Sequence, residues 1–185
     1  MNKHINGKIK KMLRHKTFCS GAYITSIPGL TLLYGNNGIK SLVLNNELSI
    51  VLVIDGNVSS CHENDFFIMV PKTTNTYNFD LKYESKYFLA CSLKISRHVL
   101  SLLDTEYSDF HLQHHTCIDN DYEENINIDL SNCFQRLITL MDKPEQIYVR
   151  APIIICEIHY LVLISKKWRD CELSAPDNFY DIHTC

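Results

Sequence analysis

The spacing of apolar residues changes once along this chain, near Ser96, and that change limits the folds open to it. Before Ser96, apolar residues come in short β-branched or aromatic runs separated by turn signals. After it they recur at helical spacing, three and four residues apart. Strands first and helices second predict an α+β fold.

The strand region begins after Ser26-Ile27-Pro28-Gly29, a turn signal. Residues 30–34 read as a strand, Gly35-Asn36-Asn37-Gly38 as a second turn, and 39–44 as another short strand. Residues 49–54 (SIVLVI) are continuous and β-branched, which predicts a strand buried on both faces and ended by Asp55-Gly56-Asn57. Residues 66–70 form the next strand, stopped by Pro71. In 75–81, Tyr77, Phe79 and Leu81 alternate, and 87–93 (YFLACSL) closes the series. So many short strands predict a barrel or a sandwich.

Ser96 is placed to cap a helix through Leu103. Residues 104–128 are polar and acidic and read as a loop. Asp129 or Ser131 then caps a helix carrying Leu130, Phe134, Leu137 and Met141, which ends at Lys143-Pro144. Pro152 sits near the first turn of a third helix, 153–167. The expected organisation is a helical arm over 1–16, a β barrel or sandwich over 17–95, a helical segment over 96–167 and an irregular tail over 168–185.

Composition bounds the function. Apolar residues make up 45 % and charged residues 21 % of 185, enough to bury one core. The net charge of -3 argues against a dedicated nucleic-acid binder. The one basic cluster (Lys8, Lys10, Lys11, Arg14, His15, Lys16) reads as the solvated face of the amino-terminal arm. No apolar run reaches the roughly 18 residues of a transmembrane helix. No apolar stretch follows the amino-terminal charges, so a cytoplasmic location without membrane contact is expected. The eight cysteines are irregularly spaced, with no CxxC pair, and read as small buried hydrophobes in a reducing compartment.

No pattern for catalysis stands out. GxSxG, HExxH, GxxxxGK[ST] and GxGxxG are all missing from the sequence, so no enzyme activity and no cofactor are expected. Cys61-His62-Glu63 offers three ligand types, but neighbours on a strand point apart, and a polar turn is the simpler reading. His111, His114, His115 and Cys117 are the better metal candidates, because imidazole and thiolate suit zinc or copper. Their spacing matches no zinc pattern. The helix IIICEIHYLVLI offers no donor array for base edges, so direct DNA reading is not expected. Glu157 and His159, two apart on that helix, fall on different faces, with Glu157 placed for a polar contact to another helix.

One combination of motifs is distinctive. It comprises the Ser26–Leu32 turn and strand, the strand into Asp55-Gly56, and Phe66-Phe67-Ile68-Met69-Val70. Tyr87-Phe88-Leu89-Ala90-Cys91-Ser92-Leu93 then leads into a helix. Leu140-Met141-Asp142-Lys143-Pro144-Glu145, Ala151-Pro152 and Glu157-Ile158-His159-Tyr160 follow. Over about residues 17–164 this resembles the amino-terminal domain of AraC-type transcriptional regulators. The resemblance implies a cupin-like β barrel (a double-stranded β-helix) followed by carboxy-terminal helices. The barrel would sense a small-molecule effector, with Tyr34 and Met69 as wall residues, and the helices would pair subunits. A homodimer, or a heterodimer with a full-length relative, is the expected assembly. The chain departs from the pattern twice. Residues 57–65 are shorter than the family's segment, which predicts an exposed sheet edge. After Ser165 it reads Lys166-Lys167-Trp168 rather than a linker, which implies a sensor without the helix-turn-helix half. The alternative is a stand-alone cupin-like protein that binds a small molecule or a metal.

Overall fold

The computed structural model describes residues 20–36, 42–43, 47–56, 65–70, 76–77, 87–114 and 120–174. The strands are β1 (Gly21–Ile24), β2 (Leu30–Asn36), β3 (Leu42–Val43), β4 (Ser49–Asp55), β5 (Phe66–Met69), β6 (Thr76–Tyr77) and β7 (Tyr87–Lys94). The helices are α1 (Arg97–His114), α2 (Asn120–Leu140), α3 (Pro144–Ile164) and α4 (Lys166–Ser174). The α+β class follows, with the four helices of the described residues all after the strands.

Five strands form one antiparallel sheet in the order β1-β2-β7-β4-β5, and β3 pairs with β6 in a separate ladder close to β1. Among the described residues the larger sheet is open: β1 and β5 are edges, and no barrel closes. β4 is buried along Ser49–Ile54, as its unbroken β-branched run predicts. The Ser26–Gly29 turn forms as expected. Gly29 takes φ 80°, a left-handed value that a side chain resists. Thr25 Oγ1 locks the turn by accepting Ile27 N–H and donating to Leu30 O.

Alternation sorts the strand side chains into two faces. Leu30, Leu32, Ile50, Leu52, Ile54, Phe66, Leu89, Cys91 and Leu93 join the helices in the main core. Leu33, Val51, Val53, Met69, Phe88 and Ala90 form a second cluster on the other face. Onto the first face pack Leu130, Phe134, Leu137 and Ile138 of α2, Ala151, Ile154, Ile158 and Val162 of α3, and Trp168 of α4. Burying each such large side chain contributes about 1.5–3 kcal/mol.

Several expectations need correction. Gly35 and Asn36 extend β2 instead of turning. Most of the loop expected over 104–128 is helix, because α1 runs on to His114 and α2 starts at Asn120. Acidic and amide residues hid a stripe that begins at Ile126, four residues before Leu130 and equally buried. Asp129 and Ser131 therefore lie inside α2 rather than at its cap. The next helix starts at Pro144, not at Ile153. Proline at a first turn sacrifices no helical hydrogen bond, so Pro144 opens α3. Pro152 then falls inside the helix, where it deprives the Tyr148 carbonyl of an amide partner. Tyr148 is 91 % exposed, so water can take that place.

The tail expected to be irregular from 168 is helical to Ser174. Ser165 Oγ accepts Trp168 N–H and Glu123 of α2 accepts Lys166 N–H, so two free donors at the start of α4 are satisfied. α4 also meets β5, an edge of the sheet. Lys167 Nζ donates to Phe66 O at 2.7 Å and sits 4.0 Å above the Phe66 ring. A lysine on an edge strand's carbonyl blocks further strand pairing.

The amino-terminal arm over 1–16, Cys61-His62-Glu63 and residues 175–185 lie outside the described residues.

Candidate functional site

Two features stand out: the second face of the sheet, which is buried over most of its breadth, and the outer arc of α3. On the second face Leu33, Val51, Val53 and Ala90 are wholly buried, with Phe88 and Met69 beside them. Along one row the strands set Thr31, Ser92, Val51 and Phe67 side by side. Ser92 is 8 % exposed and, with Thr31, brings a hydroxyl to a row otherwise made of Val51 and Phe67. Toward the β1 edge the face opens, where Ile24 is 92 % exposed. An apolar surface with a few polar handles is the usual lining of a small-molecule site.

The structure does not bring Tyr34 and Met69 together. Tyr34 packs against the helix-side core, whereas Met69 belongs to the second cluster. Successive residues along a strand fall on opposite faces, and no run of apolar letters reveals which positions of distant strands share one. Of the metal candidates, His111 and His114 lie in the last turns of α1, and His115 and Cys117 lie outside the described residues. Among the residues whose side chains are described, no group of three or more His, Cys, Asp or Glu could hold a metal ion. Cys91, Cys133, Cys156 and Cys171 are in no disulfide.

α3 is apolar over most of its circumference, apart from the strip that carries Gln146, Arg150 and Glu157. By length and composition it could cross a membrane, with mean hydropathy 1.8, although Glu145, Arg150 and Glu157 break its apolar runs. The inner arc, Ala151, Ile154, Ile158 and Val162, lies in the core. The outer arc carries Tyr148, Val149, Ile153 and Tyr160 at 91, 66, 63 and 41 % exposure, with exposed Pro152 and Cys156 among them. Val149, Ile153, Cys156 and Tyr160 follow one another at spacings of four, three and four, the heptad rhythm of a helix-pairing seam. Arg150 and Glu157 flank that seam.

Polar contacts fix α3 in place. Glu157 reaches α2 as expected: Arg136 Nη1 donates to it at 2.7 Å. The Cys133 thiol also donates to Glu157. Burial first, and then this carboxylate, push that thiol up to about 12, so it is unreactive at neutral pH. At the other side, His159 is 2 % exposed. Its Nε2 accepts Ser96 N–H at 2.8 Å and its Nδ1 lies 2.7 Å from Ile155 O. Ser96 N–H can only donate, so the ring proton must be on Nδ1. The imidazole is neutral, and burial holds its pKa below the usual histidine range, opposed in part by the Ile155 carbonyl. Ser96 also caps α1 as expected, its Oγ accepting Val99 N–H. The Ser96–His159 bond spans 63 residues of sequence, and no local pattern announces it.

A family profile described as AraC-type transcriptional regulator N-terminus matches residues 26–169. No curated protein and no solved structure matches the chain.

Proposed function

From a chain that belongs to the family of AraC-type transcriptional regulator N-termini, we propose a sensor and pairing domain. In this reading a small molecule binds on the second face of the sheet, and two subunits associate through the outer arc of α3. The β3–β6 ladder, close to β1, serves as the facing wall of a cupin-like enclosure. The partner is a second copy, or a relative that carries the same seam.

The observation that carries the reading is the outer arc. The apolar residues of a helix normally face the core. Here half of the helix faces solvent, with a heptad seam flanked by Arg150 and Glu157. Charge at the border of an apolar seam suits a protein partner better than a lipid one, since such flanking charges select partner and orientation.

Sedimentation equilibrium tests the pairing. The wild-type chain should self-associate, and Ile153→Lys should leave it monomeric. A monomeric wild type at all concentrations refutes the pairing half. A thermal-shift screen tests the sensing half: an effector at 100 times its dissociation constant adds about 2.7 kcal/mol. That gain should shrink in Ser92→Ala, which removes the hydroxyl and adds no atoms.

A further inference from the structure

β7 is paired on both sides and passes through the middle of the sheet. It carries Phe88 and Ala90 on the second face and Leu89, Cys91 and Leu93 on the helix face. Only Ile95 separates its last residue from Ser96, and Ile95 N–H is held by Leu48 O at 2.8 Å. The strand's exit is therefore anchored, with little slack to absorb a shift. Ser96 hands its N–H to His159, whose ring is fixed at its other nitrogen by Ile155 O. His159 sits between Ile158, wholly buried on the inner arc, and Tyr160, on the outer arc. The imidazole thus ties the sheet's exit to the turn of α3 that carries one end of the seam.

We propose that His159 is a positioning residue that passes the state of β7 to the outer arc of α3, through the Ser96 N–H···Nε2 hydrogen bond. The inference rests on the reading that α3 pairs subunits. A ligand that pushes Phe88 or Ala90 shifts β7. The shift travels along Ile95 and Ser96 and rotates or releases α3 at His159. Pairing strength then reports on what occupies the second face. Apolar contacts alone would transmit less, because side chains slide against one another, whereas a buried donor tolerates little loss of its acceptor.

The full-length chain and three variants separate this from a merely structural role. His159→Gln places a carbonyl oxygen where Nε2 stood and keeps an acceptor for Ser96 N–H. His159→Asn is too short to reach it, and His159→Leu removes it while filling the space. Self-association is measured by sedimentation equilibrium well below the melting temperature of each variant. Protection of the Ser96 amide is followed by hydrogen exchange. Asn and Leu should weaken association roughly three- to thirty-fold, a typical span for a coupling residue, and expose the Ser96 amide. Gln should restore both. If the Leu variant fails to fold, the Gln and Asn pair still decides the outcome. Equal association in all variants, with Ser96 exposed in Asn, overturns the coupling and leaves the pairing reading intact. So does weakened association with the Ser96 amide still protected. A monomeric wild type overturns both.

Discussion

The two arcs of α3 are built from the same kinds of residue and have opposite fates. Ile154 and Ile158 are buried in the core, while Ile153, one position away, is 63 % exposed. The inner arc is explained by what it touches, the α2 stripe and the first face of the sheet. The outer arc is largely exposed, from 41 % at Tyr160 to 91 % at Tyr148, and takes no part in the core. A surface of that kind marks an interaction site more often than an accident of composition. The difference separates stability from function along one helix.

The sharpest test of the comparison is Ile158→Ala. Removing a wholly buried isoleucine should lower unfolding free energy by about 2–5 kcal/mol, read from urea denaturation. A loss below about 1 kcal/mol would mean that the inner arc is not packed as described.

His159, on the border between the arcs, should come next. An unfolded-chain imidazole takes up its proton below about pH 6.5, whereas the buried ring resists doing so. Between those two values the unfolded state binds more protons, so stability rises with pH. The stabilising contribution is complete above about pH 6.5 and is lost as the pH falls toward the lowered native value. His159→Gln should flatten that part of the stability profile. An equally steep fall in the variant would assign it to other groups. At neutral pH, His159→Leu should cost about 1–3 kcal/mol through the stranded Ser96 N–H.

The smallest effect belongs to the outer arc. Ile153→Lys should change unfolding free energy by no more than about 0.5 kcal/mol at protein concentrations too low for association. A larger loss would show that Ile153 packs inside its own chain, and the contrast between the arcs would disappear.

Much of the fold was legible in the residues themselves. The unbroken SIVLVI run required a strand with both faces covered, and β4 has them. Ser96 offered a hydroxyl at the point where the period changes, and it caps α1. Helix lengths were harder to read, because polarity conceals helix as readily as loop. The first turns of α2 are acidic and amide-rich, and its stripe is anchored there by Ile126. Pro144 read as a stop from one side and serves as a start from the other. The candidate site was legible only as a resemblance. That resemblance named Tyr34 and Met69 as wall residues, and sheet pairing put them on opposite faces.

The sequence by itself determined the order of strands and helices, the doubly buried strand β4 and the family, because these rest on local periodicity and on residue order. Tertiary structure alone decided which arc of α3 became core. It also put His159 under Ser96, Glu157 beside Cys133 and Lys167 over the β5 edge. Each of these joins residues far apart in the chain. Their energy depends on distance and burial, which no local run of letters encodes.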